Sequence, residues 1–234
     1  MKILAIDTAT DSCSVAVADS QADTLSEITV VTRQTHSKHI IEIIKKVLSF
    51  YNYRNGSGLE ISDIAGFAVA KGPGSFTGLR IGVSTAKGLA AGSGKPLVGV
   101  SNSDALAFQF PFSPYLICTL IDARKKEVYA SRYRFEDGIL KKEKDDAVLS
   151  PDAAIADLCE PCLFAGNGAL FYRKLISEKM GELARFAPSC LNVVRASTIA
   201  HLALKRFENN DTDDIAALTP HYIRKSDAEL GFGR

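Results

Sequence analysis

Four groups of residues in this sequence have the types and spacing for chemistry. The first is Lys71-Gly72-Pro73-Gly74-Ser75-Phe76-Thr77-Gly78-Leu79-Arg80-Ile81-Gly82, which an apolar run feeds and a helical pattern leaves. A glycine-rich strand-to-helix turn exposes backbone N–H groups at the positive end of a helix, where they can meet an anion or another backbone closely. It is not a Walker A loop, because Leu79 and Arg80 stand where Lys-Ser or Lys-Thr must follow the last glycine. It is not a nucleophile elbow either, because Phe76 occupies the centre of Gly74-Ser75-Phe76-Thr77-Gly78. The second group, His36-Ser37-Lys38-His39, puts two imidazoles on one side of a helix start with no third ligand nearby, so no metal is expected there. The third, Cys159-Glu160-Pro161-Cys162, follows a short helical pattern instead of opening a helix as a redox pair would, and it lacks the second ligand pair of a zinc site. The fourth is Asp7 and Asp122, each ending an apolar run, where an aspartate either holds magnesium or forms the turn.

These groups need a scaffold, and 234 residues with 46% hydrophobic content can bury a sizeable core. A net charge of +1 supplies no global field for nucleic acid, so contact with one would need a local patch or a partner. Charges or Gly-Pro interrupt every apolar run short of the ~20 residues that span a bilayer. Five cysteines without framework spacing fit reduced thiols, and the N-terminus reads as a strand instead of a signal peptide. A cytoplasmic protein with no membrane partner is the expectation.

Alternating apolar runs at Ile3 to Ile6, Cys13 to Ala18 and Ile28 to Val31, with short polar connections, predict an antiparallel meander. A helix from about Ser37 to Tyr51 comes next. After a Gly/Ser loop at Asn55 to Gly58 come a strand Ile64 to Ala70, the glycine turn, a helix to about Ala91 and a strand Leu97 to Val100. The order then partly repeats. Strands are expected at Leu116 to Ile121, Glu127 to Phe135 and from Ile139, then a helix near Asp152 to Leu158 and a strand Leu163 to Ala165. The turn Gly166-Asn167-Gly168 leads to a helix ending near Met180, and a last helix spans about Ser197 to Phe207. Two similar halves, 1–101 and 102–234, joined near Ser101 to Phe110, imply a duplicated α/β architecture with a cleft between them.

The first helix carries Ile40, Ile43, Ile44, Val47, Leu48 and Tyr51 on one face, and Ile41 and Phe50 widen its apolar arc to about half the circumference. In the second helix Gly78, Gly82, Ala86 and Ala90 recur every four residues. Each glycine inside a helix costs roughly 1 kcal/mol against alanine, and close approach of another backbone compensates. Two readings stay open for both helices: packing within their own domain, or a surface for another protein.

Lys2-Ile3-Leu4-Ala5-Ile6-Asp7-Thr8, the glycine segment Gly72 to Gly82, Ile121-Asp122-Ala123-Arg124 with Glu127-Val128-Tyr129, and Pro220-His221-Tyr222-Ile223-Arg224 resemble the bacterial TsaB (YeaZ) proteins from end to end. The resemblance implies an actin/sugar-kinase/Hsp70-like (ASKHA) fold of two related domains with mixed sheets flanked by helices. It also implies membership of the assembly that forms N6-threonylcarbamoyladenosine beside the anticodon in tRNAs reading A-starting codons. The catalytic work in that family falls to a paralogous partner, TsaD, which holds a metal through His-x-x-x-His; the spacing here is His-x-x-His. The same resemblance implies a noncatalytic subunit without a cofactor of its own. ATP and a metal are expected on partner subunits, TsaE is an ATPase partner and tRNA is reached through the complex; without the partner, the same self-complementary face is expected to pair with its own copy as a homodimer. In the expected interface Ile40, Ile43, Ile44, Val47 and Leu48 give apolar contact, Gly78, Gly82 and Ala86 allow close approach, and Arg80 and Lys87 stand at the rim.

Enzymes of the actin-like fold bring glycine-bearing hairpins to the phosphates. Here neither Thr8-Ala9-Thr10-Asp11-Ser12 nor Asp122-Ala123-Arg124-Lys125-Lys126 holds a glycine; only Gly166-Asn167-Gly168, where such folds hold the adenosine, has a suitable form. A degenerate cleft bounded by Asp7, Thr8, Asp122, Gly166 and Gly168 binds a nucleotide weakly or not at all. Arg124, Lys125, Lys126, Arg132 and Arg134 form either a local tRNA patch or a solvated hairpin. The competing class is a small-molecule enzyme: a phosphotransferase of the actin-like fold, which lacks both glycine hairpins, or a dinucleotide enzyme, whose parallel opening is missing.

Overall fold

The computed structural model describes residues 1–20, 25–31, 36–50 and 58–224. The alternating runs at the start form β1 (Lys2–Asp7), β2 (Ser12–Asp19) and β3 (Leu25–Val31), paired antiparallel with Ile6 opposite Val15 and Val15 opposite Ile28. Next come α1 (Ile40–Phe50), β4 (Gly66–Gly72), α2 (Phe76–Ser93) and β5 (Leu97–Ser101), with β4 parallel to β1 and β5 parallel to β4. The period-two alternation sorts β1 between two cores. Leu4 and Ile6 join Val15, Phe67 and Val69 under α1 and α2, while Ile3 and Ala5 join Ala16 and Ala68 on the opposite face.

The second half comprises α3 (Asn102–Phe108), β6 (Leu116–Arg124), β7 (Glu127–Glu136), β8 (Ile139–Leu149), α4 (Pro151–Ile155), β9 (Cys162–Ala165), α5 (Asn167–Phe171), α6 (Arg173–Met180), β10 (Ala184–Phe186) and α7 (Ala196–Glu208). The sheet orders β3-β2-β1-β4-β5 and β8-β7-β6-β9-β10 are the same order written twice. This is the duplicated ASKHA-like α/β fold. The expected joint near Ser101 to Phe110 is the helix α3, started by Ser101, whose hydroxyl accepts from the Asp104 N–H at 3.3 Å. Tyr51, the last residue of the expected helix, and most of the Asn55 to Gly58 loop lie outside the described residues.

The last helix belongs to the second half in sequence and to the first in space. α7 buries Ala196, Ile199, Ala200, Ala203 and Phe207 against the first sheet, with the Phe207 ring over Gly66. Its start is satisfied by β2 and β3: the Ser14 hydroxyl accepts from Ala196 N at 2.9 Å, and the Glu27 carboxylate accepts from Ser197 N at 2.9 Å and from Arg195 Nε at 2.9 Å. The stretch beyond it returns along β5 and β4, where Asp213 N donates to Leu97 O at 2.9 Å and His221 N to Lys71 O at 2.6 Å. Arg224 then reaches the second half and donates to Ala123 O at 2.9 Å. Among the described residues no helix is long and apolar enough to cross a membrane.

Candidate functional site

The glycine turn is latched to the end of β1. Ala9 N and Asn102 Nδ2 donate to Asp7 Oδ1 at 3.1 and 2.9 Å, and Asn102 Oδ1 accepts from Gly72 N at 2.8 Å. Thr8 Oγ1 donates to Gly78 O at 2.7 Å, and Ser75 N donates to Ala9 O at 2.7 Å. The glycine spacing is explained by this latch. A Cβ on Gly74 would stand 2.5 Å from Ala9 O, one on Gly78 2.1 Å from Thr8 O, and one on Gly82 2.5 Å from Thr8 Oγ1. The close approach read from the sequence is therefore real, but the approaching backbone is the chain's own.

The expected interface changes accordingly. Ile40, Ile43, Ile44, Val47 and Leu48 are buried in the first half's core against β2 and β3, and Gly78, Gly82 and Ala86 are buried on the sheet side of α2. These eight residues offer nothing to a partner, because a face amphipathic enough to seat a helix on its own sheet looks the same in sequence as one awaiting a visitor. Arg80 is exposed, stacked 3.9 Å over the Phe76 ring, with Nε donating to Tyr222 Oη at 3.0 Å. Lys87 holds the returning C-terminal stretch through Ala216 O at 2.9 Å and Leu218 O at 3.0 Å. The outward residues of α1 include Ile41 and Phe50, 46% and 57% exposed, beside Glu42, Lys45, Lys46 and Ser49, and those of α2 include the small residues Ser84, Gly88, Ala91 and Gly92.

Asp7 is wholly buried, and its Oδ2 has no hydrogen-bond partner among the described residues. Desolvation pushes its carboxyl up to about 7, against the pull of the bonds from Ala9 and Asn102. Burial and the nearby Asp7 charge raise the Cys13 thiol to about 12. Asp7 and Thr8 are thus sealed behind the turn and do not face the cleft, as the magnesium reading required.

The cleft between the halves has a volume of about 650 Å³. Asp122 does face it, with Oδ1 accepting from Arg124 N at 3.0 Å and its own N–H donating to Asn167 Oδ1 at 3.0 Å. Gly166 and Gly168 are buried beneath, where a Cβ would meet Leu120 O at 2.3 and 2.8 Å, and Gly166 has φ 109°. They are glycines because the chain packs on β6, and the residue between them, Asn167, is the one that lines the cleft. Phe76, Arg80, Arg124, Lys125, Tyr222 and Arg224 line it as well. Of the basic hairpin, Arg132 pairs with Asp157 at 3.0 Å, and Arg134 pairs with Glu143 at 2.7 Å and Glu160 at 3.0 Å. Those two charges are spent inside the second half, where they hold β7 to its surroundings.

Cys159 is exposed and Cys162 buried at the start of β9, where its Sγ lies 3.2 Å from Glu160 O; all five cysteines are free. The hydrogen bond with its neighbour Cys162, and then burial, hold the Cys118 thiol well above the ordinary range. Among the described residues no group of three or more His, Cys, Asp or Glu could hold a metal ion. Sequence reasoning gave no role to Asn102, Phe76 or Tyr222. Asn102 was hidden in a segment read as a joint. Tyr222 lay in a stretch that carried the family resemblance but no periodic signal of contact with a residue more than a hundred positions away.

Twin sheets, a helical layer on the first and a cleft between them define a protein of the ASKHA class. Comparison with known proteins narrows that class to a family. The family model described as "TsaD: tRNA N6-adenosine threonylcarbamoyltransferase" matches residues 24–232. The tRNA threonylcarbamoyladenosine biosynthesis protein TsaB of Bacillus subtilis is 29% identical, covering 98% of this chain and 96% of the relative. That of Haemophilus influenzae is 30% identical, covering 96% and 94%. The structure of YeaZ from Pseudomonas aeruginosa superposes with a TM-score of 0.76 at 25% identity, covering 94% of this chain and 99% of that one. The chain belongs to the TsaB (YeaZ) family, and with it to the biosynthesis of threonylcarbamoyladenosine in tRNA. The family model carries the name of the paralogue; the Bacillus subtilis and Haemophilus influenzae relatives, matched over nearly their whole length, carry the name TsaB, and they decide between the two names.

Proposed function

We propose that this chain is a noncatalytic subunit that pairs through the outer faces of α1 and α2 with a TsaD-like catalytic paralogue and makes it competent. The observation that carries this reading is the outer face of α2. Gly88 and Gly92 lie inside a helix of 18 residues, and a Cβ on either would meet nothing within 4 Å among the described residues. Each costs roughly 1 kcal/mol against alanine. Unlike Gly78 and Gly82, these two have no such compensation within the described fold. A partner helix lying close along Ser84, Gly88 and Gly92, with Ile41 and Phe50 as apolar anchors, supplies it. An interface of ordinary size buries ~1,200 to 2,000 Å² in total. Its binding energy shifts the partner toward the arrangement it contacts best. Alone, the same face meets its own copy about a two-fold axis.

In this reading the chain has no cofactor of its own, ATP and a metal act on the partner subunits, a TsaE-like ATPase joins the pair, and the complex works on tRNA in the cytoplasm. The test is co-expression with the TsaD-like paralogue and size-exclusion chromatography of Gly88→Leu and Gly92→Leu. Because both positions are open, the variants are expected to keep the wild-type melting temperature within a few degrees and to lose co-elution. Full co-elution of both variants rejects the placement of the interface.

A further inference from the structure

The cleft contains a turn whose backbone conformation runs against its residue types. Lys125 and Lys126 connect β6 to β7 as a two-residue hairpin, and Arg124, Lys125 and Lys126 have φ of 61°, 53° and 61°. A hairpin with both central residues in the left-handed region favours Asn-Gly, because side chains disfavour that region. Here two lysines occupy it, and Arg124 and Lys125 face the cleft. Backbone strain kept at a cleft is a pointer to a ligand. A second, independent feature stands on the opposite wall. Phe76 and Tyr222, 39% and 38% exposed, stack with ring centroids 4.9 Å apart, and Arg80 lies over Phe76 with no carboxylate in ion-pair reach among the described residues.

An exposed aromatic pair beside cations is the combination that holds single-stranded nucleic acid, with bases on the rings and the backbone along the charges. A tight polyphosphate cradle is made instead by glycine backbone, and the glycines here, Gly74 lining the cleft and Gly166 and Gly168 beneath it, are filled by their own packing on Ala9 and Leu120. Carboxylates are also present: Arg124 lies 3.3 Å from Asp11 and 3.4 Å from Asp122, and Arg224 lies 3.1 Å from Glu127. They limit the excess positive charge and place more of the recognition on stacking. We infer that the cleft is a direct docking site for a single-stranded RNA segment, with a base on Phe76 and Tyr222 and its phosphates at Arg80, Arg124 and Lys125. This rests on the tRNA reading above and assigns the RNA-binding role to this subunit.

The experiment is fluorescence anisotropy of a labelled single-stranded RNA heptamer with the full chain, across a salt series, with ATP and poly-glutamate as competitors. Two variants are compared with wild type. Phe76→Ala/Tyr222→Ala is expected to weaken RNA about tenfold or more, as loss of base stacking does. Lys125→Asn/Lys126→Gly restores the favoured turn, so it is expected to melt higher and still bind RNA several-fold more weakly, with a salt slope shallower by about 0.7 for each phosphate that is no longer neutralised. Unchanged affinity in both variants overturns the inference, as does displacement by poly-glutamate as effective as by unlabelled RNA, or binding of ATP without RNA. Co-elution with the paralogue is measured on the same samples: RNA binding lost with co-elution intact supports this site, and co-elution lost with RNA binding intact counts against the proposed interface alone.

Discussion

Asp7→Asn is expected to be more stable than wild type at pH 8 by up to about 4 kcal/mol, and nearly equal to it at pH 4. The carboxyl sits at about 7 in the fold, raised from an ordinary value of 3.8 by burial. A gap of about three units at 1.36 kcal/mol each gives the magnitude. The sign comes from proton binding. Between the unfolded and folded values the native state holds the proton and the unfolded state does not, so the contribution of Asp7 to stability falls as pH rises from about 4 to about 7 and stays low above. Asparagine keeps an oxygen for the Ala9 and Asn102 donors and replaces the orphan Oδ2 with an uncharged group, so it resembles the protonated acid at every pH. Urea denaturation of both proteins from pH 4 to pH 8 gives the difference directly. Parallel stability curves would show that Asp7 is not the buried acid described.

That acid also shows where sequence reasoning stopped. Asp7 was legible as a strand-ending aspartate, and Asp122 was its counterpart by the repeat order; the fold brought only Asp122 to the cleft. The difference is made by Asn102, whose side chain bridges Asp7 to Gly72 and closes the turn over it. No local pattern announces a contact between residues 7, 72 and 102. The strands were legible as short apolar runs bounded by polar turns, because a sheet that buries both faces needs apolar residues at successive positions, as Leu4 and Ile6 against Ile3 and Ala5 demonstrate. β10 was not, since three residues, Ala184–Phe186, give too short a run for alternation to register. The candidate site was legible in its segments and not in its facing: the glycine turn, both aspartates and the basic hairpin were all singled out, yet periodicity could not tell which side of α2 meets its own sheet.

The same ambiguity separates two alanine substitutions made ten residues apart on α2. Gly78→Ala and Gly88→Ala both exchange a helical glycine for the best helix former, which alone gains roughly 1 kcal/mol. At Gly88 nothing opposes the gain, because a Cβ there meets nothing within 4 Å among the described residues. At Gly78 the Cβ would stand 2.1 Å from the Thr8 carbonyl oxygen, a backbone atom fixed by β1, and the bond from Thr8 Oγ1 to Gly78 O at 2.7 Å would have to give as the helix moved away. Overpacking of this sort costs about 1 to 3 kcal/mol, and a buried bond to a hydroxyl adds about 1 more. Gly78→Ala is therefore expected to lose about 1 to 3 kcal/mol net, and Gly88→Ala to gain up to about 1 kcal/mol in the isolated chain, as read by urea midpoints at constant slope. If Gly88→Ala is also destabilising, a segment outside the described residues already covers that face in the free chain, and the open stripe offered to the partner is gone. If Gly78→Ala is neutral, the latch between β1 and α2 is looser than the packing of Thr8 against Gly78 and Gly82 requires.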